Sequence, residues 1–110
     1  MLCADALHEF PDIPATLTSV REAIGPDGVF LLHEVNVGEK LEDNISPRGA
    51  MFYSVSVLYC LSENLRSGGE GLGRLGLHEQ KVRELCSAAG LARVRRLWED
   101  AVDVVYEIRR

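Results

Sequence analysis

No apolar stretch of this sequence approaches the ~20 residues that a helix needs to cross a bilayer, so no membrane partner is expected from it. Positive charge is also scarce. Twelve lysines and arginines stand against 17 aspartates and glutamates, giving a net charge of −5 and a pI near 5.1. Nucleic-acid binding depends on basic side chains that neutralise phosphates, so this balance argues against a nucleic-acid partner for the segment. Cysteines number only three (Cys3, Cys60, Cys86), an odd count with wide spacing and no C-x-x-C pair. That pattern excludes a disulfide framework and suits a reducing compartment, where the thiols are expected to be buried and inert. The first residues also lack the basic region and long apolar core of a secretory leader, and a cytoplasmic protein is the resulting expectation. Each histidine precedes a glutamate (His8-Glu9, His33-Glu34, His78-Glu79), but HEFPD, HEVNV and HEQKV all lack the second histidine of the H-E-x-x-H zinc pattern. A metal site is therefore not expected.

What remains is an ordinary globular composition, with 46% hydrophobic and 26% charged residues and no internal repeat. A chain of 110 residues makes one domain (1–110) that buries roughly two-thirds of its unfolded surface. Residues 1–4 read as the end of a buried strand. Asp12 as a cap and Pro14 as an early-turn proline then open a helix, whose apolar stripe is Ile13, Leu17, Val20 and Ile24. Gly25 suits the position after its last turn, where a left-handed backbone is needed. The run Val29-Phe30-Leu31-Leu32 is apolar without alternation, as in a strand covered on both faces. Strand, helix, strand in this order predicts a parallel pair with a right-handed crossover.

Residues 36–46 are polar and loop-like. Residues 49–61 admit two readings: Tyr53, Val55, Val57, Tyr59 and Leu61 alternate as in a strand, whereas Ser46-Pro47 is a helix start. Residues 66–76 form a glycine-rich loop, read as a connector or lid, since no strand precedes it. Val82, Leu85, Cys86 and Ala89 mark a further helix, ended by Gly90. Two short strands joined by Asp100-Ala101 complete the chain as an antiparallel hairpin, in which Arg93, Arg95, Arg96, Arg109 and Arg110 form a solvated face. The fold class is α/β.

DALHEFPD followed by a helix and then GPDGVFLLHE resembles the fourth-to-fifth-strand region of class I S-adenosylmethionine-dependent methyltransferases. GEKLEDNISPRG, FYSVSVLYC, GLG, AAGL and DVVYEIRR extend the likeness over essentially the whole chain, and the set is similar to the subgroup that carries an N-terminal winged-helix domain. The resemblance implies a partial Rossmann-like methyltransferase sheet, strands four to seven with the last pair antiparallel and the last strand inserted between the fifth and sixth, flanked by helices. It implies S-adenosylmethionine as cofactor and a small-molecule methyl acceptor. The family's glycine-rich turn after strand one and acidic end of strand two are not among these residues, so this segment alone is expected to be inactive and to bind cofactor weakly or not at all. Without the first three strands the fourth becomes a bare edge. That predicts a homodimer or assembly with an N-terminal half, and supports an alternative reading as a non-catalytic interaction module.

The resemblance also assigns roles to particular residues. Ala4, Asp5 and His8 would lie beside the transferring methyl and the amino-acid end of the cofactor. His8 would be the catalytic base, with Glu34 as a second base or a group orienting the substrate. If residues 47–63 are the family's substrate-side helix, Tyr53 and Tyr59 would line the acceptor pocket. Against these roles stand blander ones: Asp5 and His8 as turn caps, Glu34 as an exposed strand end, and the tyrosines as core packing.

Overall fold

The computed structural model describes residues 1–110 and contains four strands, β1 (Leu2–Ala4), β2 (Phe30–Val35), β3 (Arg93–Glu99) and β4 (Asp103–Arg109). They form one mixed sheet in the order β1-β2-β4-β3. β1 pairs parallel to β2, whereas β4 is antiparallel to both β2 and β3. The last strand is thus inserted between the second and the third, and the expected hairpin is present. Asp100 makes its turn, the side chain accepting from Val102 N at 2.7 Å and Asp103 N at 2.8 Å.

The helices follow the local signals closely. α1 (Ile13–Ile24) starts where the Asp12 carboxylate accepts from Ala15 N at 2.8 Å, and it buries Ile13, Leu17 and Val20. Gly25 ends it at φ +67°, a backbone that glycine adopts without steric cost. The ambiguous segment is helical throughout. α2 (Pro47–Val55) is capped by Ser46, whose Oγ accepts from Gly49 N at 3.0 Å, and it passes through a π-turn (Ser56–Cys60) into α3 (Leu61–Arg66). The serine-proline start outweighs the alternating pattern because a helix satisfies its own backbone groups within the segment. The π-turn inserts one extra residue, turning Ser56 and Cys60 inward while Val57, Leu58 and Tyr59 stay exposed. A short turn α4 (Gly73–Gly76) interrupts the glycine-rich segment, and a 3-10 turn (Leu41–Asn44) interrupts the loop at 36–46. α5 (Glu79–Ala88) buries Val82 and Cys86 and gives way to Gly90 at φ +78°.

One face of the sheet carries the core. Phe30, Leu32, Val104, Tyr106 and Ile108 pack with Leu17 and Val20 of α1 and Val82 and Cys86 of α5. The other face is open over most of its length, with only Val35 at the end of β2 packed against Phe52 of α2 and Leu75 of α4. Leu2 is 66% exposed and Trp98 52%, with Leu31, His33 and Val105 only partly covered. Two expectations are corrected here. Residues 1–4 are an open edge strand, not a buried one, and β2 is covered on one face, not both. The apolar run VFLL told only that the strand avoids water, and Leu31 meets that demand through its in-sheet neighbours Leu2 and Glu107.

Candidate functional site

Because β1 and β2 are parallel neighbours, their carboxyl ends deliver two chain segments to the same end of the sheet. Asp5 N donates to His33 O at 2.8 Å, extending the ladder by one bond beyond Ala4. Asp5 then takes φ +49°, the one non-glycine residue in the left-handed region. This reversal feeds a 3-10 turn (Leu7–Glu9) that folds back over the end of β2 and buries Leu7 and His8.

The His8 side chain is fully buried, and its Nδ1 lies 2.8 Å from Oε2 of Glu34, which is 1% exposed. A carboxylate only accepts, so Nδ1–H is the donor of this bond. In neutral His8 that leaves Nε2 as an unprotonated lone pair. Nε2 has no hydrogen-bond partner and its nearest carboxylate is Glu9 Oε1 at 3.8 Å; Oε1 of Glu34 is likewise unpartnered. Glu34 is therefore no exposed strand-end carboxylate.

Around this pair the fold gathers residues from distant segments. Nη1 of Arg74, in α4, donates to both carboxylate oxygens of Asp5 at 2.7 and 2.9 Å. Arg74 N is itself held by Ser56 Oγ at 3.1 Å. Cys60 of the π-turn is fully buried; burial pushes its thiol up, and the neighbouring Arg74 opposes that rise. Burial alone holds the remote Cys86 thiol at about 12, which makes it inert. Two sets of potential ligand atoms arise, Asp5/His8/Glu34 and His8/Glu9/Cys60, with the members of each within 4.8 Å of one another. In the first set both acids are already engaged, Asp5 by Arg74 and Glu34 by His8.

The structure thus brings Asp5, His8 and Glu34 together. It does not bring the other sequence-derived residues to them. Ala4 is exposed and opposite His33 on the open sheet face. Tyr53 packs beside Val35, Phe52 and Leu75, and lines a separate cavity with Glu39 and His78. Tyr59 is 58% exposed, so the two tyrosines do not share one pocket: the π-turn between them separates their directions. The five principal cavities, of about 280–440 Å³, are not lined by His8 or Glu34. The groups beside His8 that reach solvent are Asp5 and Glu9. Sequence reasoning missed Arg74 and Cys60, which join the site only through the tertiary fold. The hairpin arginines behave as a solvated face, Arg95 and Arg109 meeting Glu107 and Arg96 meeting Glu79.

Removing the Glu34 carboxylate should expose the cost of this arrangement. Glu34→Ala leaves a buried His8 N–H without a partner and is expected to lower unfolding free energy by about 1–3 kcal/mol, whereas Glu34→Gln keeps an acceptor oxygen and should cost less. Urea unfolding of both variants checks this, and an alanine variant as stable as the parent would contradict it. In comparison with known proteins, the chain matches no family model and no curated protein.

Proposed function

We propose that this chain forms the acceptor side of an S-adenosylmethionine-dependent methyltransferase domain, corresponding to strands four to seven of that Rossmann-like fold, in a cytoplasmic protein. The observation that carries the reading is the buried His8–Glu34 pair at the carboxyl ends of two adjacent parallel strands, where ligands of α/β sheets bind. The insertion of antiparallel β4 between β2 and β3 supports it, since the resemblance implies that order.

Methyl transfer is an in-line displacement, so the protein's tasks are to align the acceptor with the methyl group and to remove the acceptor's proton. In this reading His8 Nε2 accepts that proton from a small-molecule acceptor. Glu34, bonded to Nδ1–H, stabilises the resulting imidazolium and holds the ring's orientation. Asp5, fixed by Arg74, and Ala4 would face the amino-acid end of S-adenosylmethionine. Glu34 would also orient the acceptor. The glycine-rich segment follows α3, not a strand, so it does not serve as the cofactor's phosphate-type cradle.

Calorimetry with S-adenosylhomocysteine should therefore detect no micromolar binding to the 110-residue chain. Joined to a polypeptide that carries a strand and glycine-rich turn, the assembly is expected to release S-adenosylhomocysteine, and His8→Ala to slow release by about 10²–10⁴-fold. Undiminished release by that variant, or micromolar affinity of the chain alone, would overturn the reading.

A second reading, a self-associating or complementing interaction module, is favoured by the bare β1 edge together with the uncovered sheet face bearing Leu2, Leu31 and Trp98. It predicts a homodimer by light scattering at high micromolar concentration. A monodisperse monomer there would count against it.

A further inference from the structure

A fully buried imidazole nitrogen with a free lone pair is costly unless something binds it. His8 Nε2 is such an atom, and two metal donors, a Glu9 carboxylate oxygen and the Cys60 sulfur, lie close beside it. We infer that His8 Nε2, a Glu9 carboxylate oxygen and the Cys60 sulfur form a binding site for one zinc-class divalent cation, with the fourth position open.

The geometry suits a tetrahedral ion. Bonds of ~2.0–2.3 Å to nitrogen, oxygen and sulfur place such donors roughly 3.3–3.8 Å apart. His8 Nε2 and Glu9 Oε1 already stand at 3.8 Å, and all three donors lie within 4.8 Å of one another. Glu9 is 29% exposed, so its side chain has room to make the remaining adjustment and gives the ion a way in. The His8 and Cys60 side chains are both fully buried. Glu34 supplies what a metal-bound histidine needs on its far side, a carboxylate accepting the other ring N–H, which fixes the tautomer and raises the basicity of Nε2.

The donor chemistry selects the ion. A thiolate with an imidazole favours zinc and its softer neighbours over magnesium or calcium, which prefer oxygen alone. On binding, the Cys60 S–H proton leaves to solvent as the sulfur–metal bond forms. Arg74 beside Cys60 does not oppose the ion with a bare charge, because its guanidinium is already paired with Asp5. Cys60 and Glu9 together contribute two negative charges, which match the ion. This inference goes beyond the methyl-transfer reading and does not rest on it. The ion takes the lone pair which that reading gives to a proton, so bound zinc would block proton removal instead of driving it.

Cobalt(II) titration of the reduced 110-residue chain tests this without any activity assay. One equivalent is expected to produce a near-ultraviolet thiolate-to-cobalt band with intense visible bands of tetrahedral cobalt, displaced by zinc. Cys60→Ser should abolish the thiolate band while Cys86→Ser retains it, and Glu34→Gln should weaken binding by about 10–100-fold. Should Cys60→Ser fail to fold by circular dichroism, the partly exposed Glu9→Gln variant decides, with binding expected to fall at least tenfold. Absence of the band in the parent chain, its persistence in folded Cys60→Ser, its loss in Cys86→Ser, or unchanged affinity in Glu9→Gln would each overturn the inference.

Discussion

The hydrogen bond from His8 Nδ1–H to Glu34 ties the turn after β1 to the end of β2, and the organisation of this end of the molecule depends on it. Both partners are shielded from water, so the bond has no solvent to compete with it and no solvent to replace it. The strained Asp5 backbone is tolerated for the same reason. It is the reversal that drops His8 under the sheet end, and Arg74 locks it from outside by gripping the Asp5 carboxylate. Arg74 is in turn held by Ser56, one turn of helix before Cys60. A chain of polar contacts thereby links the edge of the sheet to the helical segment packed over it.

A second constraint is the asymmetry of the sheet. All of the principal core lies between one face and the helices α1 and α5, while the face bearing Leu2, Leu31 and Trp98 stays open. The rows of that face contributed by β3 and β4 are kept in water by paired charges such as Arg95–Glu107. β2 contributes His33, whose Nε2 lies 3.0 Å from an Asp103 carboxylate oxygen, but β1 (Leu2–Ala4) has no charged side chain and also leaves one side of its backbone unpaired. Catalytic and interaction readings of the chain converge on this point. A methyltransferase domain would cover the face with its remaining strands and helices, and an interaction module would cover it with a partner.

Local signals made much of the fold legible. Asp12 and Pro14, Ser46 and Pro47, and the glycines at 25 and 90 each act within a few residues of themselves, so a cap or a stop can be read without knowing what lies across the core. Burial could not be read in that way. The strand at 29–32 has one apolar composition whether one face is covered or two, and only the count of elements on each side decides. Residues 49–61 carried both periods at once, and the π-turn, a one-residue insertion with no sequence mark of its own, placed Tyr59 outside and Cys60 inside. Asp5, His8 and Glu34 were each identifiable from position at strand ends. That His8 and Glu34 are bonded to each other, and that Arg74 and Cys60 complete their surroundings, follows from contacts across 26 to 69 positions of the chain.

Long-range nitrogen–proton NMR of the histidine side chains reads the state of His8 itself. The structure predicts a proton on Nδ1 that Glu34 holds and that exchanges slowly, lost to tautomer averaging in Glu34→Ala. A His8 ring without a proton on Nδ1 in the parent chain, or one that averages freely between tautomers, would contradict it.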